Sequence, residues 1–165
     1  MRKRILLLNG PSSSGKSTLA RCLQERLRTR NGDQVDVVSI DDFLTMNADD
    51  AIYEDDVYAV CPERCDRVRE SLRRKDGVIV DHVITSERIY RLLLDSFAAY
   101  RLLLVRVTCP VSVLNERERQ RGDRRPGSAE ASAQYLYPQA GYDGSVDTHL
   151  SSTEACVDQI LRLLV

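Results

Sequence analysis

The stretch "GPSSSGKST" (residues 10–18) decides how the rest of the chain is read. Gly10 to Ser17 fits G-x-x-x-x-G-K-[ST] without a mismatch. Two glycines and three serines let the backbone curl until successive N–H groups point at one anion. A helix that starts at Lys16 adds the positive end of its dipole. Gly10, Pro11, Ser12, Ser13, Ser14, Gly15, Lys16, Ser17 and Thr18 together therefore read as a phosphate cradle. Lys16 would reach the outer phosphates of a nucleoside triphosphate, and Ser17 would place its hydroxyl on Mg²⁺. The motif needs a strand before it and a helix after it. "RILLLN" (residues 4–9) is a short continuous apolar run that ends at turn residues, as a buried parallel strand does. In "KSTLARCLQERLRTR" (residues 16–30), Leu19, Cys22, Leu23 and Leu27 share one face, which predicts an amphipathic helix closed by Asn31-Gly32.

The same alternation continues outward. "VDVVSI" (residues 35–40), "GVIVDHV" (77–83) and "RLLLVRVT" (101–108) read as further strands, with a short last one at 146–148. Helices are predicted from Pro62 to about Lys75, over 86–100 behind a Ser86 cap, over 112–125, and over 152–164. "PGSAEASAQ" (residues 126–134) is small and polar, and reads as a loop. Strands that alternate with helices imply an α/β fold, a parallel sheet covered on both faces. No repeat and no linker is visible, so residues 1–165 read as one domain.

The chain has 165 residues and a formal net charge of −1. That balance argues against a general electrostatic hold on nucleic acid or on an anionic membrane. The apolar runs are far shorter than the roughly 20 residues a membrane span needs. The five cysteines, Cys22, Cys61, Cys65, Cys109 and Cys156, are odd in number and scattered. They read as free thiols in a reducing cytoplasm rather than as a disulfide framework or a metal site.

A guanine-reading N-K-x-D segment is absent, and motor-type ATPases need far more chain. A small-molecule or nucleotide kinase is what remains. The order "ILLLNGPSSSGKST", "VSIDDFL", "GVIVDHV", "LLLVRVTCP…ERERQRGDR" and "YDGSVDT" resembles the chloramphenicol phosphotransferase-like family over nearly the whole length. The resemblance implies an adenylate-kinase-like, three-layer P-loop kinase fold with a five-stranded parallel sheet and a basic lid. It also implies transfer of the ATP γ-phosphoryl group, with Mg²⁺, to a hydroxyl of a small molecule, in the named case an antibiotic.

The resemblance also assigns residues. Asp41, at the carboxyl end of the second strand, matches the family's base for the acceptor hydroxyl. Its neighbour Asp42 is expected to cap a helix. Asp81, after the third strand, would hold Mg²⁺ or contact the acceptor. In the basic stretch, Arg117 and Arg121 match the lid best, with Arg124 next, where guanidinium forks suit a crowded triphosphate. The "SVDT" segment is expected near the adenine. The acidic residues between Asp49 and Asp56 read as a solvated loop; the resemblance implies that this region covers the acceptor, where they would favour a cationic one, with Tyr53 and Tyr58 as aromatic walls. His82 reads as structural. Two other readings stay open: a kinase of a nucleoside, sugar or sugar nucleotide, as in zeta-toxin-like enzymes, and a nucleotide-sensing module without an acceptor. Oligomeric state is not written in the sequence.

Overall fold

A computed structural model describes residues 3–45, 52–123 and 125–164. Five strands form one parallel sheet: β1 (Arg4–Asn9), β2 (Val35–Ser39), β3 (Gly77–His82), β4 (Arg101–Thr108) and β5 (Gly144–Asp147), in the order β2-β3-β1-β4-β5. β1 is central. Leu7 lies opposite Val80 of β3 and Leu104 of β4, and Leu8 opposite Asp81 and Val105.

The period of two along β1 builds the layers. Ile5 and Leu7 enter one core with Val78, Val80 and Leu104, beneath α2 (Glu54–Arg74) and α3 (Glu87–Phe97). Leu6 and Leu8 enter the other with Ile79, Val105 and Val107, beneath α1 (Lys16–Asn31) and α6 (Thr153–Arg162). A strand buried on both faces must be apolar at every position, which is why "ILLL" shows no alternation. Two further helices, α4 (Val111–Arg121) and α5 (Ser128–Gln134), pack on each other.

Helix ends follow the local chemistry. Gly32 closes α1 in the left-handed conformation at φ 71°, its N–H donating to the Arg28 carbonyl. Ser86 and Ser152 cap α3 and α6, their hydroxyls accepting from the N–H groups of Ile89 and Ala155.

Four expectations change. α2 begins at Glu54 rather than Pro62, which lies inside the helix. Glu54, Asp55 and Asp56 occupy its first turn, where the helix dipole favours carboxylates, and Asp56 accepts from the Tyr53 N–H at 3.0 Å. α4 stops at Arg121 because Gly122 turns left-handed at φ 66°. Residues 126–134 are not all loop: α5 forms there, and the alanines, Glu130 and Gln134 within it favour helix. β5 starts and ends earlier than 146–148.

The carboxyl ends of the strands gather the cradle and the turn after β2, as open α/β sheets place their ligand crevices. The turn out of β1 runs close against β4: a Cβ on Gly10 would stand 2.4 Å from the Val107 carbonyl oxygen. Gly10→Ala is therefore expected to destabilise the fold by about 1–3 kcal/mol, read as a lower urea midpoint at unchanged m-value.

Candidate active site

The cradle is wound by two residues with positive φ, Ser13 at 64° and Gly15 at 91°. They aim the turn back over the start of α1. Lys16 is only 6% exposed. Its ammonium donates to the Pro11 carbonyl at 2.8 Å and stands 4.0 Å from Asp81 Oδ1. The Ser17 hydroxyl donates to Asp81 Oδ2 at 2.5 Å. Strand β3 thus delivers a buried carboxylate to the first turn of α1.

These groups stand at one end of a cleft of about 1140 Å³. Ser12, Ser13, Gly15, Lys16, Ser17 and Thr18 line it. Gly10 packs behind against β4, Pro11 offers its carbonyl to Lys16, and Ser14 is fully buried. Asp41 and Asp42 line the other end, on the 3₁₀ turn Ile40–Phe43 that follows β2. The cap of that turn is Ser39, whose hydroxyl accepts from the Asp41 N–H at 3.3 Å, so Asp42 does not cap it.

Arg117 and Arg121, one turn apart on α4, both line the cleft. Their engagements differ. Arg117 donates to the Ser13 carbonyl at 3.4 Å, and to the hydroxyl and the carbonyl of Thr148 at 3.1 Å each. Thr148 in turn donates to the Ser14 carbonyl at 2.7 Å. Arg117 therefore ties α4, the cradle and the end of β5 together. Arg121 pairs with Asp123 at 2.9 Å, with both groups half-exposed. Arg124 lies outside the described residues, as do Asp49 and Asp50.

The remaining acidic residues are already engaged. Arg88 pairs with Glu54 and Asp55 and stacks over the Tyr58 ring at 4.2 Å, and its guanidinium holds the Glu54 carboxyl below its usual range. In the described part of that stretch, Glu54 and Asp55 belong to a helix start bound to a neighbouring arginine. His82 is fully buried, and burial, then the charges of Arg64 and Lys16, keep its imidazole well below its ordinary pKa. Cys61, 3.9 Å from it, is pushed up to about 11 by burial. All five cysteines are free thiols.

Three residues escaped the sequence reading. Ser132 of α5 accepts from the Ser12 N–H at 2.9 Å, docking α5 on the cradle. Thr148 sits in the segment expected near the adenine, but its clamp on Arg117 had no local signature. Glu118 is 4% exposed, and its carboxylate accepts from the N–H groups of Gly127 at 2.8 Å and Ala129 at 2.7 Å, seating α5 on α4. Its place among arginines hid it as one more surface charge.

No helix among the described residues is long and apolar enough to cross a membrane. No group of three or more His, Cys, Asp or Glu side chains suited to a metal ion occurs among them. The oxygen pair of Ser17 and Asp81 does suit Mg²⁺, which prefers few protein ligands and keeps waters and phosphates for the rest.

A family model described as chloramphenicol phosphotransferase-like protein matches residues 3–165. Among curated proteins no sequence relative matches. Solved structures share the fold at low identity. The APS kinase CysC of Mycobacterium tuberculosis, in complex with AMPPNP and APS, is 18% identical, with a TM-score of 0.73 over 99% of this chain and 98% of that one. A gluconokinase of Sinorhizobium meliloti is 19% identical, with a TM-score of 0.70 over 99% and 91%. A sugar kinase from a Janibacter species is 14% identical, with a TM-score of 0.75 over 98% and 94%.

Glu118→Ala removes the acceptor of two backbone N–H groups at once. It is expected to cost about 1–3 kcal/mol, read as a lower midpoint in chemical denaturation.

Proposed function

Because the chain belongs to the chloramphenicol phosphotransferase-like family, we propose that it moves the γ-phosphoryl group of ATP onto a hydroxyl of a small molecule. An antibiotic is the acceptor to which the family's name points. The observation that carries the reading is one cleft with a phosphate cradle at one end and the Asp41 carboxylate at the other.

The backbone N–H groups of the cradle and the Lys16 ammonium hold the phosphates. Ser17 and Asp81 would hold Mg²⁺, which neutralises charge on the phosphates when bound. Asp41 accepts the proton of the acceptor hydroxyl. The hydroxyl oxygen bonds to Pγ while the bond from Pγ to the bridging oxygen breaks, and ADP leaves with that electron pair. Arg121 stabilises the charge that develops at Pγ, and Arg117 fixes the lid helix over the cradle. Residues 1–165 act as one kinase domain, in a reducing compartment suited to its free thiols.

A panel of hydroxyl compounds, with ATP and Mg²⁺, tests the reading through ADP formation. At least one compound is expected to accelerate ADP release. Asp41→Asn should lower that accelerated kcat by about 10²–10⁴-fold with ADP affinity within twofold. Lys16→Ala should weaken ADP binding itself. Turnover that no compound accelerates, and that Asp41→Asn leaves unchanged, would instead mark a nucleotide-sensing module.

A further inference from the structure

β2 is an edge strand: β3 pairs with one side of it, and no strand among the described residues pairs with the other. The cleft runs along β2, past Asp36, Val38 and Ser39, to the turn that carries Asp41 and Asp42. The cradle follows β1, two strands away, so about 10 Å of sheet separates it from β2. A triphosphate in the cradle therefore leaves the stretch beside β2 to the acceptor.

Two arginines line this cleft from opposite faces of the sheet, Arg67 from α2 and Arg21 from α1. α2 runs antiparallel to β2, because it carries the chain back to the start of the parallel strand β3. The Ser71 hydroxyl donates to Asp36 and sets the register of helix on strand. Arg67 is one turn before Ser71, about 6 Å nearer the carboxyl end of β2. That level is Val38, which shares a face with Asp36 and packs in the core beneath α2. The 3₁₀ turn follows directly, and α2 packs on it as well. On the other face, Gln24 of α1 donates to the Val35 carbonyl at 2.7 Å. Arg21 is three residues earlier, on the same side of that helix.

Neither guanidinium is committed to the protein. Both residues are exposed. Arg21 holds no hydrogen bond or ion pair among the described residues. Arg67 has Glu70 at 3.7 Å, too far for a hydrogen bond, and Glu70 already accepts from Arg74 at 3.3 Å. An exposed pair of that kind is worth little and yields to a ligand. Asp36 is held by Ser71, and no carboxylate of β2 or its turn pairs with either arginine.

The walls also say what the acceptor is not. The chain has seven tyrosines, two phenylalanines and no tryptophan, and none of these rings lines the cleft. Tyr58, expected as an aromatic wall, lies under Arg88 instead. A flat aromatic antibiotic finds no ring to stack on, whereas the polar side chains along β2 suit hydroxyls.

We propose that Arg67, with Arg21 across the strand edge, forms an anion clamp for the acceptor, and that the compound phosphorylated is a polyhydroxy compound bearing a carboxylate or phosphate group. This inference rests on the phosphotransferase reading above and narrows its acceptor. The anionic group docks on the guanidinium forks, which match it bidentately, while a hydroxyl faces Asp41.

The test uses the full chain with ATP and Mg²⁺, and ADP formation is the readout. Glucose, gluconate and glucosamine present one skeleton in neutral, anionic and cationic form. Ribose is set against ribose 5-phosphate, and chloramphenicol is the neutral aromatic. In the wild type, the anionic member of at least one set should exceed its neutral partner by about 10–100-fold in kcat/KM, and which anion wins separates a carboxylate from a phosphate reader. Arg67→Gln should bring the anionic partner down to the level of the neutral one, mainly through KM, with ADP affinity within twofold and an unchanged thermal midpoint. Arg67→Lys should restore part of the preference, and Arg21→Gln should reduce it from the other helix. Arg73→Gln removes an exposed charge of α2 that does not line the cleft, and should leave the preference intact. An equal loss in Arg73→Gln overturns the inference, because the general field of the helix is then responsible. Equal use of all three charge forms, glucosamine as the best of its set, or chloramphenicol as the best acceptor also overturns it and leaves the phosphotransferase reading standing. A lower midpoint with lost ADP binding in Arg67→Gln makes that residue structural, and the inference falls. If no compound accelerates ADP formation, the phosphotransferase reading fails and takes the inference with it.

Discussion

The hydrogen bond from the Ser17 hydroxyl to Asp81 joins the first turn of α1 to the carboxyl end of β3. Much else hangs from that contact. A buried carboxylate is tolerated only with partners, and here the partners are a hydroxyl and an ammonium from the same helix turn. Those two side chains can reach it only if the loop between β1 and α1 doubles back across the sheet edge. Gly10 permits the close passage by β4, and Ser13 and Gly15 supply the left-handed turns. The neighbours of β1 in the sheet, β3 and β4, are then the strands that touch the cradle from either side.

The two ends of the cleft are built differently. At the cradle, Lys16 is met by Pro11 and Asp81, the Ser12 N–H by Ser132, and the Ser13 and Ser14 carbonyls by Arg117 and Thr148, while the Ser12 and Ser13 hydroxyls are buried without a hydrogen-bond partner. Such a site is preorganised for an anion. At the other end Asp41 and Asp42 stand on the short 3₁₀ turn after β2, which Ser39 caps.

Strands and the helices between them were legible because hydrophobic period is a local signal. The short apolar runs bounded by turn residues read as buried strands, and the P-loop pattern then set direction and layer. α5 was not legible as a helix because its burial depends on Glu118, a carboxylate ten residues upstream that resembles its charged neighbours. The start of α2 was misplaced because Pro62 looks like a first-turn proline, while the true start is set by a run of acids that read as solvated. At the site, Lys16, Ser17, Asp81, Asp41, Arg117 and Arg121 share one cleft, as their motifs implied. Thr148 and Ser132 were hidden because each acts through a contact far away in sequence.

The central claim is that the phosphoryl group leaving ATP goes to an organic hydroxyl and not to water. Phosphorus NMR of a reaction run in heavy-oxygen water, with ATP, Mg²⁺ and the acceptor pool, reads the destination directly. The account predicts a phosphate monoester that forms in step with ADP and carries no heavy oxygen from solvent. Inorganic phosphate as the sole product, labelled by the solvent, would contradict it.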